Sequence, residues 1–530
     1  MIDARVIMFT SKDLASGQLP RLVVRIRVMV SHLGGSTGSK EHELAGESES
    51  MAGYNTPIPT SVMTPDTVST RIGELQFADG VPTPETTQTL FDHLDFLRGV
   101  EAFLNCIPAA SLEGLRRGML QLGMDACHKG GITDRLLDSN PLLLTGNCDT
   151  VYAFAMLDLE RDGATVVEVP PGCGPGTVDD AWFRFVVDMG MPGPDRGAGG
   201  TYLIVPSGYD GERPDGWFVA ESPSAVNFLI LRGFLVDGKA DAAVTMFTEG
   251  VKVYPFSERN DPPAMEWLSA SGDEINTVHA NDFTFYEEVA HVIAKEPIGV
   301  IDAETRGLLA SIGITKGAPF APDERMRKIL TDAVAVGNGT ARALGFRPRE
   351  DGFRIYPDRR WLNPFPGGDY QFLRDQGAGG RFLDGRTTFF YLATVNTPAM
   401  ALKMVGKGSQ YAYATLDADG EPLDGAKTYR MRLPADAPAA DFWSVTVYDP
   451  QTRSELQTGQ PLPGRSSRDA LVYNDDGSVD IVFGPDEPAQ LATNWLQTVA
   501  GKGWFTLLRL YGPLEAWFDG TWKPGDIEVD

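Results

Sequence analysis

One β unit is written twice in this chain, and that repetition constrains the fold more than any other feature. "YAFAMLD", which begins at Tyr152, returns as "YAYATLD" at Tyr411. Each copy runs into a turn containing Asp-Gly and then into a strand that stops at Pro170 or Pro434. "DDAWFRFVVDMG" over residues 179–190 then matches "ADFWSVTVYDPQ" over 440–451, each with a Trp followed six residues later by an Asp. Side chains alternate along a strand, so this spacing predicts Trp182, Arg184, Val186 and Asp188 on one face and Phe183, Phe185 and Val187 on the other. The same parity groups Trp443, Val445, Val447 and Asp449, with an indole anchoring each core at matching register.

Around the repeat the pattern changes in blocks. Residues 1–60 include "HLGGSTGSKEHELAGESESMAGYNTPIPT", too poor in apolar residues for a core, and read as a disordered leader, with Met51 an alternative start. Residues 61–146 read as an N-terminal helical segment. Thr83 is its N-cap and Pro84 its first residue, Leu90, Leu94, Leu97, Val100 and Leu104 form one stripe, and "SLEGLRRGMLQLG" is a second helix. Residues 147–261 carry short strands parted by Gly and Pro, the pattern of a sandwich or barrel. Residues 262–346 form a helical spacer, with Asp302 and Asp323 as caps. Strands are expected to resume at "RTTFFYLATVNTP" within a second β domain over 347–530. The expected class is α+β, mainly β.

Composition excludes several functions. With 46 basic against 72 acidic residues and a formal charge of −26, the chain would repel phosphate backbones, so nucleic acid is not an expected partner. No stretch reaches the ~18 apolar residues of a membrane span, since Arg25 and Arg27 interrupt "RLVVRIRVMV". A cytoplasmic location follows by default. Cys106, Cys127, Cys148 and Cys173 lack metal-binding spacing and are expected as buried thiols. None of the six histidines falls in a β region, which disfavours a metal site on strands, although carboxylates leave room for bound Ca²⁺ or Mg²⁺. There is no H-E-x-x-H, G-x-S-x-G or complete P-loop, and "GCGPG" at 172–176 reads as a loop. His279 and His291 are not expected as a ligand pair.

The C-terminal "NWLQTVAGKGWFTLLRLYGPLEAWFDGTWKPGDIE" holds four of the nine tryptophans. Within it Phe505, Leu507, Arg509 and Tyr511 alternate with Trp504, Thr506, Leu508 and Leu510, a strand whose arginine needs a polar partner if buried. This segment, with "TPDTVSTRIGELQFADGVPTPETTQTLFDHLDFLRGVEAFL", "GNCDTVYAFAMLDL" and "YNDDGSVDIVFGP", resembles a bacterial and viral family that links the domains of unknown function 1254 and 1214. The likeness runs from about Thr64 to the C-terminus. It implies two tandem jelly-roll-like β-sandwiches with associated helices, some members being similar to the double jelly rolls of large-virus capsids. It implies no activity.

The polar and aromatic residues at strand positions are the candidate site. Asp149, Arg184, Asp188 and Tyr152 are the catalytic candidates, because an Asp beside an Arg can act as a base or position a carbonyl or carboxylate while a Tyr donates a proton. Asn147, Trp182, Asn396, Tyr411, Tyr413, Arg509 and Tyr511 are the substrate-binding candidates, with Asn494 nearby in sequence. The expected function is a small-molecule-binding enzyme, with a metal-independent hydrolase as the candidate, a cleft between the β domains and a homo-oligomeric state. The alternative is a capsid-like assembly protein without catalysis.

Overall fold

The computed structural model describes residues 56–530. Most of the expected leader, residues 1–55, lies outside the described residues. Met1–Pro65 is one unit, of which a 3-10 turn at Thr60–Val62 is described, and Asp66–Asp530 is a second, to which everything below refers.

The second unit opens with a three-stranded antiparallel ribbon inside the segment expected to be helical: β1 (Thr67–Thr70), β2 (Gly73–Ala78) and β3 (Val81–Pro82). Thr83 then caps α1 (Pro84–Leu122), its hydroxyl accepting from the Thr86 N–H at 3.2 Å, with Pro84 at the first helical position where no N–H is needed. Two helices were expected here, yet α1 runs unbroken through Pro108. The turns around the proline, from Ala102 to Leu115, are mostly buried, and their packing outweighs one lost backbone hydrogen bond.

The first β domain follows as β4 (Lys129–Ile132), β5 (Val151–Asp158), β6 (Thr165–Val169), β7 (Gly176–Asp179), β8 (Phe185–Met189), β9 (Gly200–Pro206), β10 (Phe218–Ser222), β11 (Val226–Gly233), α2 (Asp241–Gly250), β12 (Lys252–Pro255) and β13 (Glu266–Ser269). Three helices come next: α3 (Thr284–Lys295), α4 (Ala303–Ser311) and α5 (Glu324–Phe346). Asp302 and Asp323 cap the last two, accepting from the N–H of Thr305 at 2.9 Å and of Met326 at 2.8 Å. Helix α5 lies against α1 at close range. A Cβ on Gly99 would meet the Ala333 Cβ at 2.7 Å, and one on Gly337 would meet the Phe103 ring at 2.8 Å.

The strand expected at "RTTFFYLATVNTP" is instead α6 (Leu383–Leu392), followed by α7 (Pro398–Ala401). Gly385 and Thr387 to Leu392 are buried without an exposed stripe, so neither a period of two nor one of 3.6 marks the segment, and its Thr and aromatic content reads as strand. The second β domain comprises β14 (Ser409–Ala414), β15 (Tyr429–Leu433), β16 (Ala439–Tyr448), β17 (Gly464–Ser466), β18 (Val479–Gly484), β19 (Trp495–Gln497), β20 (Phe505–Pro513), α8 (Glu515–Phe518) and β21 (Ile527–Val529).

The chain is thus mixed α and β, and mainly β. Each half contains eight corresponding strands, β5 to β12 and β14 to β21. The order β5-β11-β7-β8 in one sheet answers β14-β20-β16-β17, and β10-β9-β6-β12 answers β19-β18-β15-β21. Even the pairing sense repeats: β10·β9 and β19·β18 are both parallel, a feature outside an all-antiparallel jelly roll. Strands β4 and β13 extend the first half alone.

Register dates the correspondence residue by residue. Tyr152 pairs with Arg232 as Tyr411 pairs with Arg509, and Ile230 pairs with Thr177 as Leu507 pairs with Thr446. The tryptophans do not obey it. Trp443 lies within β16, opposite Leu510, whereas Trp182 lies in a turn after β7. The Asp180 carboxylate makes that turn by accepting from the N–H of Trp182 at 2.8 Å and of Arg184 at 3.0 Å. The matching indoles are a coincidence of spacing, and the predicted face shared by Trp182 and Arg184 does not exist.

Alternation sets the two faces of each sheet. Val151, Ala153, Ala155 and Leu157 of β5 face inward onto β6 and β9, sharing a core with Val167, Tyr202 and Ile204. In the second half Ala412, Val445, Val447, Leu508 and Leu510 share a core with Met431, Ile481 and Phe483. The opposite faces are also covered. Phe154 and Phe228 from the first half and Tyr411, Tyr413, Phe505 and Leu507 from the second belong to one central cluster with α1, α3, α5 and α6. Each aliphatic side chain so buried contributes about 1.5–3 kcal/mol. The two halves therefore meet through their outer sheet faces.

Candidate functional site

Where the outer faces meet, a cavity of about 160 Å³ opens between β5, β11, β7 and β8 on one side and β14 and β20 on the other. Loops at 143–147 and 393–400 close its ends. Most of its wall is apolar, from residues such as Leu143, Ile230, Phe365, Phe389 and Leu507. Its polar groups come from both halves because the repeated Tyr–Arg pair projects from each outer face.

In the first half, the Arg232 guanidinium donates through Nη1 to Ser409 Oγ at 3.1 Å and through Nη2 to the Tyr152 hydroxyl at 3.3 Å, while its buried Nε has no partner. It lies 5.6 Å from the Tyr152 ring centre and 5.2 Å from that of Tyr511, within cation–π range. Asn147 donates to the same Tyr152 hydroxyl at 2.5 Å, and its Oδ1 accepts from the Asp149 N–H and the Thr150 hydroxyl, both at 3.1 Å. In the second half, Arg509 donates to the Thr145 carbonyl at 2.7 Å, the Gly146 carbonyl at 3.0 Å and the Thr446 hydroxyl at 3.2 Å. Each of these hydrogen bonds ends on a neutral oxygen.

The carboxyls nearby all lie above the usual carboxylate range. Burial pushes Asp149 up to about 6 although Ser444, Arg509 and Arg232 pull the other way, and it pushes Glu455 well above the usual range. Asp188 lines the cavity, and burial pushes it too up to about 6 against the Thr397 and Thr177 hydroxyls. Its Oδ2 accepts from Thr397 Oγ1 at 3.2 Å, and its buried Oδ1 has no partner. Tyr411 also lines the cavity, and its buried hydroxyl has none either. Orphaned buried polar atoms are uncommon in folded proteins, and several around one cavity mark a place where a ligand or water completes the hydrogen bonding.

The candidate residues thus fall into three sets. Asn147, Tyr152, Asp188, Tyr411 and Arg509 line the cavity. Asp149, Tyr511 and Asn396 lie behind it: Tyr511 stacks on Phe442 at 4.0 Å, and Asn396 donates its backbone N–H to Asp179 at 2.8 Å and its side-chain amide to the Tyr370 carbonyl. Arg184, Trp182 and Tyr413 do not reach it. Arg184 is half-exposed and paired with Asp180 at 2.6 Å, because the turn that removes Trp182 from the strand also turns Arg184 outward. Trp182 packs in the central cluster, as does Tyr413, and Asn494 braces a loop through Val472 and Asp480. Sequence reasoning missed Arg232, Ser409, Thr177 and Thr397. Arg232 was detectable: "LILR" ending at Arg232 answers "TLLR" ending at Arg509.

Other groups play no part here. His279 is buried and held down to about 3 by burial and by Arg453, and all four cysteines are buried and free. Among the described residues, no group of three or more His, Cys, Asp or Glu is placed to hold a metal ion, so no set for Ca²⁺ or Mg²⁺ is found. No described helix is long and apolar enough to cross a membrane.

Comparison with known proteins agrees with the tandem build. Residues 131–255 match the model of a protein of unknown function, DUF1254, and residues 408–515 match that of a second, DUF1214, in that order. The chain is similar to the VPA0106 protein from Vibrio parahaemolyticus at 19% identity and a TM-score of 0.51, over 82% of this chain and 100% of that one, which shows a shared fold. An uncharacterised protein from Burkholderia cenocepacia aligns at 11% identity and a TM-score of 0.36 over 84% of this chain and 96% of that one. No curated protein matches the chain.

Proposed function

We propose that this chain of linked DUF1254 and DUF1214 domains is a small-molecule-binding enzyme whose site is the cavity between its two halves. One observation carries the reading: Asp188 and Tyr411 both line the cavity, and the Asp188 Oδ1 and the Tyr411 hydroxyl are both buried without a partner. A fold keeps such atoms at a stability cost, and enzymes keep them as proton acceptors and donors. Asp188, pushed up to about 6, is poised as a base near neutral pH. Arg232 and Tyr411 are the donors for a carbonyl or carboxylate oxygen.

Hydrolysis is the reaction class that these groups fit. Asp188 takes a proton from water, the water oxygen adds to a carbonyl carbon at that end of the cavity, and the electron pair moves onto the carbonyl oxygen, while Arg232 and Tyr411 hold the far end of the substrate. Collapse of that adduct expels the leaving group, which takes up the proton from Asp188. The halves are read as jelly-roll-like in their eight strands and two layers, and the protein as a cytoplasmic homo-oligomer.

The test is a panel of chromogenic esters and amides assayed with wild type, Asp188→Asn and Arg232→Met. The expected result is loss of kcat in the first variant and a raised KM in the second. Turnover that survives unchanged in both variants removes the cavity from the chemistry.

A further inference from the structure

We propose that the cavity selects a compact apolar monocarboxylate with a hydroxyl or amino donor at its far end, its carboxylate on Arg232 and its donor on Asp188. This rests on the cavity being the ligand site, as argued above, and adds the class of molecule it takes.

Charge decides the first half of the claim. Two arginines reach the cavity wall, and their hydrogen bonds all end on neutral oxygens. Glu455 is held well towards its neutral form by burial, and neither arginine donates to a carboxylate. A buried cation outside any ion pair is costly, and a bound anion relieves that cost. Arg509 braces the loop at Thr145 and Gly146 through Nη2, whereas Arg232 donates only to the hydroxyls of Ser409 and Tyr152, so Arg232 is the one that receives the ligand. A carboxylate fits a guanidinium edge with its two oxygens, and the partnerless Tyr411 hydroxyl supplies a further donor. The walls beyond are apolar, which suits a hydrocarbon body better than the remaining oxygens of a phosphate.

Register decides the second half. Ile230 pairs with Thr177, and Thr177 with Asp188, so Asp188 emerges on the same sheet face as Ile230 and Arg232, two strands across and two residues along from the arginine. Standard sheet spacings put their Cα atoms roughly 12 Å apart. After both side chains are allowed for, the gap suits a single ring, and a cavity of about 150 Å³ is enough for benzene. The orphaned Asp188 Oδ1 then accepts from a group para to the carboxylate.

The probes are 4-hydroxybenzoate, benzoate, 4-hydroxybenzamide and inorganic phosphate, titrated calorimetrically into the full chain. The expected order is 4-hydroxybenzoate first, benzoate weaker, and the amide at least about tenfold weaker than the acid it mimics. Arg232→Met should lower acid affinity to that of the amide and leave the amide unchanged. Asp188→Asn should affect 4-hydroxybenzoate and spare benzoate. Equal binding of acid and amide, tighter binding of phosphate, or binding of none of the four overturns the inference. Leu507→Trp fills the cavity and separates the two readings. If it abolishes acid and amide alike when these bind equally, the cavity is the site and only the carboxylate preference falls. If binding survives it, the ligand lies elsewhere and both readings fall.

Discussion

Replacing Asp188 by Asn keeps the shape of the side chain and removes its charge. Its Oδ2 accepts one hydrogen bond, from Thr397 at 3.2 Å, which the amide oxygen of Asn can still accept, while the orphaned Oδ1 position becomes an NH₂. The energy follows from the carboxyl's raised pKa. It moves from 3.8 to about 6 on folding, so the folded protein holds this proton more tightly than the unfolded chain does. The penalty for ionising it is fully present above about pH 6 and gone below about pH 4, and at about 1.36 kcal/mol for each pH unit it reaches roughly 3 kcal/mol. For a unit of roughly 465 residues, with an unfolding entropy near 2.1 cal/mol/K per residue, that corresponds to a rise in Tm of about 3 °C. Calorimetric melting of wild type and Asp188→Asn at pH 8, 6 and 4 measures it. The variant should be the more stable at pH 8, less distinctly so at pH 6, and equal to wild type at pH 4. A variant that melts at or below wild type at pH 8, or a gain that does not change with pH, would refute the assignment of Asp188 as a buried carboxyl retained against stability.

Three further outcomes test the frame around the site. Gly114→Ala would put a Cβ 2.6 Å from the Thr277 backbone carbonyl, which cannot move aside as a side-chain tip would, so a loss of about 1–3 kcal/mol in urea unfolding is expected. Thr83→Ala removes the cap of α1 and should cost about 1 kcal/mol in the same assay, with Thr83→Ser restoring it. Light scattering after size exclusion should show a small closed oligomer. Large or open-ended particles would favour the assembly reading, in which the cavity has no ligand.

What was legible in the sequence follows from which signals are local. The helix starts at Thr83, Asp302 and Asp323 were readable because a cap is a contact across three residues. The repeat was readable at "YAxAxLD" because β5 and β14 use the same alternation to put small residues inward and tyrosine outward. It failed at the tryptophans, where an Asp–backbone turn replaced a strand that spacing alone could not distinguish from one. Helix α6 failed for the opposite reason: with every residue from Thr387 to Leu392 buried, it shows no period. For the cavity, five of the lining residues were named from residue type and strand position, whereas Arg232 needed the pairing of Tyr152 with Arg232 to be set beside that of Tyr411 with Arg509. Strand pairing is long-range information, and only the repeat carried it into the sequence.

Duplication explains how one site came to hold two arginines in different roles. At equal register, Arg509 donates to two carbonyls and a hydroxyl of the protein, whereas Arg232 donates to two hydroxyls alone. One copy braces the loop that carries Asn147, and the other is the one to which our proposal assigns the ligand. The two should then differ in sign under the same substitution. Arg509→Met strands the Thr145 carbonyl and the Thr446 hydroxyl and leaves the Gly146 carbonyl with the Tyr448 hydroxyl as its donor, so at about 1 kcal/mol or more for each stranded group a loss of about 2–3 kcal/mol is expected in urea unfolding. Arg232→Met removes a buried cation that donates to no carboxylate and leaves two hydroxyls, of which that of Tyr152 keeps Asn147 as a partner, so stability should hold or rise. If Arg232→Met proves the more damaging of the two without ligand, then Arg232 is the structural arginine, and the site must be built around Arg509 instead.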